Sequence, residues 1–463
     1  MISRGPVTAG VRGIQGIPQS CHYRGRVEIL LYLGGVVFML IGLGLSIGLH
    51  EVGHLLPAKL FGVRVGQYMI GFGPRLWSKR IGETEYGFKA LPLGGFISMS
   101  GMYPPSAKST PARGLFASLV QDARTANDET IADGDDDRVF YRLPVWKRVI
   151  IMLGGPAMNF LLAIAIFTIM ASGIGIQQAS TTIASVTECV LPAGTTQQSC
   201  ESGDPAAPAA QAGVEAGDVL ISVDGEQVQT FAEASAIIQR SPGDPLDIVV
   251  ERDGQQVDLT LTPVAAERGE VDAEGRPVLD DQGQPVTRTV GYAGIFAQTE
   301  YVPQPIATGP ELAIQQTGAV ASLVVNLPAK LWNVGVSLVT GAERDPNGPL
   351  SVVGVGRLAG EVAATDAPVL NRLVVLMNLL AALNIALFVF NLIPLLPLDG
   401  GHVVVALWEG VKRTWAKITG RPDPKPVDAT RLVPVTVVVA VLLIGMGALL
   451  IVADLVKPMS LLG

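Results

Sequence analysis

Residues 29–54, ILLYLGGVVFMLIGLGLSIGLHEVGH, combine a long uncharged run with a closing group of ionisable side chains. The run to residue 49 is long enough to cross a bilayer as a helix, which needs about 20 predominantly apolar residues. Residues four apart on a helix share one face, so His50 and His54 can bind one Zn²⁺ while Glu51 lies beside it as a base. Because ionisable groups within a membrane are costly, this group indicates a functional site.

The composition of the 463-residue chain independently indicates a membrane protein. Hydrophobic side chains make up 49% of the residues and charged ones 16%, against roughly 25% charged residues in soluble proteins. The mean hydropathy is +0.41. A net charge of −8 and a pI near 5.2 argue against a nucleic-acid partner, which usually requires a basic surface. Three cysteines exclude a disulfide-rich scaffold.

Four uncharged apolar stretches predict a polytopic α-helical membrane protein with about four transmembrane helices. The transmembrane helices are predicted at 27–60, 148–176, 372–402 and 432–456. Cytoplasmic loops are predicted at 61–147 and 403–431, and an outer domain at 177–264. A disordered or non-native N-terminal extension is predicted at 1–26, and a linker with an amphipathic helix at 265–371. The amphipathic helix is placed at 319–340, because Asn326, Pro328 and Lys330 interrupt that apolar stretch.

Basic residues close to the spans give the orientation, because loops rich in lysine and arginine remain in the cytoplasm. Segments 61–147 and 403–431 carry these residues, whereas 177–371 is acid-rich. We therefore expect a multi-pass protein of the cell inner (plasma) membrane, with its metal site near the cytoplasmic side. Cys189 and Cys200 lie in the outer region, where disulfides can form, and we predict that they pair across a short loop.

The outer segment has the pattern of a small extracytoplasmic α+β domain. Strand-like runs occur at 181–186, 218–223, 246–252 and 257–261, with a helical stretch at 230–240. Asp253-Gly254 between the last two runs is a strong hairpin signal. The run APAAQAGVEAGD at 207–218 resembles that of a bacterial PDZ domain. Another small β-rich domain is the alternative interpretation.

A third metal ligand is needed, because a catalytic Zn²⁺ usually has three protein ligands and one open position. Asp399 follows an apolar run in NLIPLLPLDGGH, residues 391–402. The prolines and glycines there break the helix, and irregular backbone at membrane depth is tolerated where it lines a cavity. We prefer Asp399 as the third ligand, with His402 as its rival. A plain helix-end aspartate at the membrane interface is the alternative.

Together, HEVGH at 50–54 and NLIPLLPLDG at 391–400 resemble the motifs of the site-2 protease family, in its bacterial form with a single PDZ domain. These are intramembrane zinc metalloproteases, and the resemblance covers the chain from about residue 27 to its end. It implies that His50, His54 and Asp399 are zinc ligands and that Glu51 is the catalytic glutamate. One departure lies in the second motif, where the family's second proline is displaced by one position, to Pro397.

Other stretches that match the family suggest substrate-binding residues. The segments GFGP at 71–74 and LPLGGF at 91–96 resemble its membrane-associated β-hairpin, which is thought to present an edge to an extended substrate. From the residues alone, a surface hairpin is the alternative interpretation. GPAMNF at 155–160 resembles its second-span motif. The candidates for substrate binding or an oxyanion site are Asn159, Asn391, Gly94 and Gly95. For Asn159, a hydrogen bond between helices is the alternative.

The resemblance implies hydrolysis of single-span membrane proteins, such as anti-sigma factors already trimmed outside the membrane by another protease. The expected partners are these substrates and the lipid bilayer, with no nucleic acid. Two other function classes fit the sequence less well. A non-catalytic scaffold that binds exported proteins would not need Glu51. A zinc protease with an aqueous active site would not place its motif at the end of an apolar run.

Overall fold

The computed structural model describes residues 19–104, 115–131, 137–190, 200, 205–270, 278, 280, 286–345 and 348–459. They belong to two compact units, Met1–Met170 with Ile306–Gly463, and Ala171–Pro305, which are described separately. The helices are α1 (Gln19–Leu60), α2 (Leu115–Asp128), α3 (Val145–Thr168), α4 (Pro208–Gln211), α5 (Phe231–Gln239), α6 (Thr308–Val325), α7 (Leu327–Thr340), α8 (Val352–Ala364), α9 (Val369–Asn391), α10 (Asp399–Ile418) and α11 (Val433–Val456). The strands are β1 (Val65–Ile81), β2 (Thr84–Met99), β3 (Ile176–Val186), β4 (Val219–Val223), β5 (Glu226–Gln227), β6 (Leu246–Arg252), β7 (Gln255–Leu261), β8 (Val264–Gly269), β9 (Thr287–Tyr292) and β10 (Ile295–Val302).

Four helical segments of the described chain are long and apolar enough to cross a bilayer. They are Val27–Leu60, Val145–Ile174, Val369–Asn391 and Ala429–Val456. This agrees with the prediction of about four spans, and the architecture is that of a multi-pass membrane protein with an additional β domain.

The third span is shorter than predicted. α9 ends at Asn391, whereas the prediction continued to residue 402, because Pro394 and Pro397 lack the backbone N–H groups that a continuing helix needs. A new helix, α10, begins at Asp399 and ends at Ile418. The prediction of a loop at 403–431 is therefore wrong for the part that α10 occupies.

The first helix begins earlier than predicted. α1 starts at Gln19, so residues 19–26 are helical, and the prediction of disorder there is wrong. That segment contains no proline that would stop the helix. The remainder of the predicted extension, residues 1–18, lies outside the described residues.

The segment predicted as a linker with one amphipathic helix, 265–371, contains β9, β10, α6, α7 and α8 and most of β8. α6 and α7 are bent by 64° relative to each other, and only as a pair are they long and apolar enough for a further span or a re-entrant loop. Pro328 in the first turn of α7 accounts for the break, since proline cannot continue α6. The prediction of a single helix at 319–340 is therefore wrong.

Small residues let the helices of the membrane unit approach closely. Gly53 of α1 faces Gly154 of α3, and a Cβ atom on either would meet the carbonyl oxygen of the other. Such contacts are typical of helices in a bilayer, where burial of apolar surface does not drive association. A polar link supports them, because Asn384 of α9 donates a hydrogen bond to Ser46 Oγ of α1 over 2.9 Å. These contacts fix α1 against α3 and α9.

A buried ion pair joins α3 to α10. Arg148 Nη2 lies 2.8 Å from Glu409 Oε1, and the two side chains are only 6% and 1% exposed. Arg413 Nη2, one turn further along α10, lies 2.7 Å from the same oxygen. Since removing one partner of a buried pair costs about 3–5 kcal/mol, this cluster holds α10 against the beginning of α3.

The second unit is built on an antiparallel sheet with the strand order β10-β3-β4-β6-β7, and β5 pairs with β4. The hairpin predicted at Asp253-Gly254 is confirmed, because Arg252 pairs with Gln255 and both turn residues have a positive φ. The core of this unit includes Ile183, Leu220, Ile248 and Leu261, all fully buried. β10 lies beyond the predicted domain 177–264, so the folded unit is longer than predicted.

A charged pair fixes the beginning of β4. Asp218 is 1% exposed and accepts hydrogen bonds from Arg252 Nε over 2.7 Å and from the backbone N–H of Glu215 over 2.8 Å. The Arg252 guanidinium is the main reason that the pKa of Asp218 lies below its ordinary value in spite of burial. The pair therefore stabilises the unit fully at neutral pH and loses this effect as the pH falls through that lowered pKa.

The predicted disulfide is present, because Cys189 and Cys200 are bonded to each other. Closing a loop of this size should stabilise the second unit by about 2–3 kcal/mol. In intact, unreduced protein we therefore expect neither of these cysteines to react with a thiol reagent. Mass spectrometry after alkylation measures this, with the fully reduced protein as the positive control. Alkylation of both Cys189 and Cys200 would contradict the prediction.

Candidate active site

Three side chains from distant parts of the chain converge at one point. His50 and His54 lie on α1, and Asp399 begins α10. The two Nε2 atoms are 3.2 Å apart, and Asp399 Oδ2 lies 3.3 Å from His50 Nε2 and 3.4 Å from His54 Nε2. Among the described residues, this is the group of His, Cys, Asp or Glu side chains that could hold a metal ion.

The separations and the hydrogen bonding fit a tetrahedral metal ion. Ligands about 2.0–2.1 Å from tetrahedral Zn²⁺ lie roughly 3.3 Å from one another. His54 Nδ1 donates a hydrogen bond to the carbonyl oxygen of Ile151 over 2.7 Å, which leaves the lone pair of Nε2 free to bind a metal. Two imidazole lone pairs and a carboxylate oxygen aimed at one point are a donor set that Zn²⁺ prefers.

Glycines of α3 make room for the two histidines. A Cβ atom on Gly155 would meet His54 Nε2 and also lie 2.8 Å from His50 Nε2. Gly154 packs against the backbone of Gly53, which lies between the histidines in the sequence. A side chain at Gly155 would therefore displace the metal-binding atoms, and one at Gly53 or Gly154 would push apart the helix backbones that position them.

Glu51 lies beside the three-residue group and is 8% exposed. It packs against Gly95 of β2, where an added Cβ atom would come within 2.9 Å of Glu51 Cγ and 3.2 Å of Oε1. The neighbouring Gly94 has a φ of +146°, and the ring of Phe72 occupies the place where its Cβ atom would be. The backbone of β2 thus reaches the carboxylate at a position where only glycines fit.

Tyr68 of β1 anchors the hairpin β1–β2 to α1. Its hydroxyl donates a hydrogen bond to the carbonyl oxygen of Gly48 over 2.8 Å. Burial, with a smaller effect of the Glu51 charge, raises the pKa of Tyr68 to about 12. The hydroxyl therefore remains protonated, and able to donate this bond, throughout the physiological pH range.

A cavity of about 800 Å³ opens beside these residues. Its lining includes His50, Glu51, Gly94, Gly95, Asn159 and Asn391, together with apolar side chains of α1, α8, α9 and α11. Asn159 is fully buried, and neither polar atom of its side chain has a hydrogen-bond partner among the described residues. Asn391 donates a hydrogen bond to the carbonyl oxygen of Leu387 over 3.0 Å. The structure thus brings the residues singled out in the sequence to one place.

His402, the rival ligand, lies apart from the three-residue group. Its ring stacks on that of Tyr103, with ring centroids 6.3 Å apart. Sequence reasoning missed the part of the cavity lined by Leu350, Ser351 and Val352. A signal was present, because a serine before an apolar run is typical of a helix N-cap, and Ser351 Oγ accepts a hydrogen bond from the backbone N–H of Gly354.

Comparison with known proteins relates this geometry to a family, because the model of peptidase family M50 matches residues 38–421. The chain belongs to peptidase family M50. It is 32% identical to the zinc metalloprotease Rip1 of Mycobacterium tuberculosis over 444 residues, 93% of this chain and 100% of the relative. It is 34% identical to Rip1 of Mycolicibacterium smegmatis over 438 residues, 92% and 98% of the two chains. A putative zinc metalloprotease of Brucella suis is 32% identical over 387 residues, 82% and 87% of the two chains.

Membership of M50, the site-2 protease family, confirms several predictions made from the sequence. The chain is a zinc metalloendopeptidase, and Zn²⁺ is its cofactor. The four spans and the family together make it a multi-pass membrane protein that performs intramembrane proteolysis. Its substrates are therefore membrane proteins, and it works in a lipid bilayer.

Exchanging Gly53 for alanine is expected to push α1 away from α3, because the new methyl group would meet the backbone of Gly154. Overpacking costs about 1–3 kcal/mol, so both the melting temperature and the zinc content of this M50 protease should fall. Gly44→Ala in the same helix is the matched control, since no other part of the described chain, apart from its neighbours in the helix, lies within 4 Å of its new carbon. Equal melting temperatures and equal zinc content in the two purified variants would contradict the prediction.

Proposed function

We propose that this chain cleaves single-span membrane proteins, with His50, His54 and Asp399 as its zinc ligands and Glu51 as its general base. The observation that carries the proposal is the position of the ligand group beside the cavity lined by helices α1, α9 and α11. All three helices are candidate spans, so a substrate reaches the metal site from the bilayer.

The roles of the side chains follow from where their atoms lie. Bound Zn²⁺ supplies Lewis acidity, which polarises the scissile carbonyl and acidifies water. The Glu51 carboxylate accepts a proton from the attacking water and passes it to the leaving nitrogen. Glu51 is largely buried, which limits the contact of its carboxylate with bulk water. His54 is held for its task by the hydrogen bond from its Nδ1 to the carbonyl oxygen of Ile151.

Asn159 and Asn391 are proposed to bind the substrate main chain near the reacting carbonyl. A buried side-chain amide without a partner is costly, so the free amide of Asn159 is suited to a ligand that enters the cavity. The hydrogen bond from Asn391 to Leu387 uses only one of its two N–H groups. The other N–H group can donate to a substrate oxygen.

The substrate is proposed to bind in an extended form along β2 at Gly94 and Gly95. A peptide bond inside a helix is shielded by the helix's own hydrogen bonds, so the substrate must unwind before water can attack. The sheet formed by β1 and β2 has two strands, and an added strand would supply main-chain hydrogen bonds to the unwound segment. The close approach of Gly95 to Glu51 would place that strand beside the base.

The proposed setting is signalling across the inner membrane. The basic segments 61–147 and 403–431 support a cytoplasmic metal-site end, which puts the β domain outside. A PDZ-like fold for residues 177–264 is supported by the antiparallel sheet with α5 and by the resemblance at 207–218. The proposed substrates are anti-sigma factors or similar single-span proteins that another protease has already trimmed.

Comparing membrane proteomes of cells that carry the natural protein or Glu51→Gln tests the proposed substrate class. We expect single-span proteins without their outer domains to accumulate only in the variant, because trimming proceeds while the second cut fails. Re-expression of the natural protein is the control and should clear them. If only exported soluble proteins accumulated, the active site would serve aqueous substrates and the proposal would be wrong.

A further inference from the structure

α10 carries an apolar stripe that the rest of the described chain leaves uncovered. Its members, which are 45–75% exposed, are Val404, Leu407, Trp408, Val411, Trp415 and Ile418. At 100° per residue they occupy one side of the helix. Ala406, Glu409 and Ala416 on the other side are buried. A contiguous apolar surface of this kind marks an interaction site.

The position of α10 in the chain puts this stripe at the bilayer. α10 lies between the spans α9 and α11, so it is on one side of the membrane, close to where both spans end. The ion pair of Arg148 with Glu409 holds its buried face against the first turns of α3, which is also a span. The exposed stripe therefore belongs to a helix that lies next to the ends of three candidate spans.

The chemistry of the stripe and its flank fits anionic phospholipid headgroups. Tryptophan rings are favoured at the headgroup level of a bilayer, and the stripe contains Trp408 and Trp415. Arg421 and Lys425 are exposed beyond the end of the helix. Each lysine or arginine near an anionic membrane strengthens the attraction about fivefold. An apolar partner protein would not account for this basic flank.

We propose that the stripe of α10 lies in the bilayer interface among anionic phospholipid headgroups, and that this seating holds Asp399 against the two histidines. Asp399 is the first residue of α10, and it is the member of the metal-binding group that α1 does not carry. A rigid helix transmits its tilt to its ends, so Trp408 and Trp415 act as positioning residues. This second part rests on the proposed role of Asp399 as a ligand.

Fluorescence in lipid nanodiscs tests the contact with lipid. Variants keep Trp408 or Trp415 as the single tryptophan, and the others are changed to phenylalanine. We expect both to be strongly quenched by phospholipid brominated near the headgroup, and more by brominated phosphatidylglycerol than by brominated phosphatidylcholine. In a chain without natural tryptophans, Lys417→Trp is the matched control, because residue 417 lies about 200° around the helix from Trp415. It should be quenched weakly.

Arg421→Gln and Lys425→Gln test the headgroup charge. Each is expected to reduce the preference of Trp415 quenching for phosphatidylglycerol about fivefold. Equal quenching by the two lipids in the parent would overturn the choice of an anionic headgroup. Absence of quenching at Trp408 and Trp415 would overturn the lipid contact altogether, and two chains per nanodisc would then identify a second copy as the cover.

Zinc affinity tests the seating of Asp399. In the natural chain, chelator competition should give tighter zinc binding in nanodiscs with phosphatidylglycerol than with phosphatidylcholine alone. Trp408→Ser with Trp415→Ser should remove this lipid dependence and weaken binding about tenfold, in the range of lost outer-shell support. Trp332 on α7 is another highly exposed tryptophan, so Trp332→Ser is the control and should keep the lipid dependence of zinc binding.

The outcomes separate the two proposals. If the two serine substitutions only destabilised the protein, zinc binding would weaken equally in both lipids. Either that result or an unchanged zinc affinity would overturn the positioning role. Failure of Asp399→Asn to affect zinc would instead overturn the ligand assignment, and the quenching of Trp408 and Trp415 would be unaffected by it.

Discussion

Replacing Glu51 by glutamine is expected to abolish most proteolysis while Zn²⁺ stays bound. Glutamine keeps the size and hydrogen-bonding capacity of Glu51 but cannot accept a proton, and loss of a general base slows a reaction by about 10²–10⁴-fold. The metal should remain because Glu51 packs against Gly95 and is outside the group of three metal-binding side chains. Zinc per chain and cleavage of a single-span substrate, measured on purified protein, report the two effects.

Two further sets of variants separate the loss of the base from the loss of the metal. Glu361→Gln makes the same chemical change in α8, where Glu361 pairs with Arg357 over 2.7 Å and does not line the cavity, so zinc and activity should both persist. His50→Ala and His54→Ala should lose the metal together with activity, since two remaining protein ligands hold Zn²⁺ poorly. Full activity in Glu51→Gln would refute the proposed mechanism.

The chemistry of the site could be predicted because its signals are local in the sequence. His50, Glu51 and His54 lie within one and a half turns of a helix, so their common face follows from helical periodicity alone. The break before Asp399 follows from Pro394 and Pro397. Periodicity could not show that the two motifs lie close together in space. That inference depended on the requirement for a third ligand and on the family resemblance.

The way in which the helices meet could not be predicted, because it depends on residues far apart in the chain. Nothing near Gly53 shows that its partner is Gly154, and nothing near Ser46 indicates its hydrogen bond from Asn384. In a bilayer such contacts, rather than hydrophobic burial, select the packing. They are therefore properties of the folded unit and not of either segment.

α10 could have been predicted, because the sequence contains a helical pattern in the segment that was predicted as a loop. Basic residues at Lys412, Arg413 and Lys417 suggested a solvated segment, whereas the apolar positions from Val404 to Ile418 already have helical spacing. The glycines at 400 and 401 looked like helix breakers. In the structure a Cβ atom on either would meet the backbone of the preceding turn, so they serve close packing at the helix start.

Asp399→Asn is expected to weaken zinc binding by at least about 10²-fold, because even the loss of outer-shell partners costs roughly 10–100-fold. Asparagine matches the shape of Asp399 but removes the negative charge that faces the two imidazoles at 3.3 and 3.4 Å. Proteolysis should fall with the metal and return at high zinc concentration, a rescue that Glu51→Gln should not show. Chelator competition and zinc-dependent cleavage on purified protein measure both quantities.

His402→Ala separates the rival assignments within the same helix. Its ring stacks on Tyr103 and lies apart from the ligand group, so this variant should keep the zinc affinity of the natural protein and lose only packing at that contact. If His402 were the third ligand, the two variants would exchange their behaviour. Normal zinc and normal activity in Asp399→Asn would refute the assignment, because the site would then hold its metal without the carboxylate that connects α10 to α1.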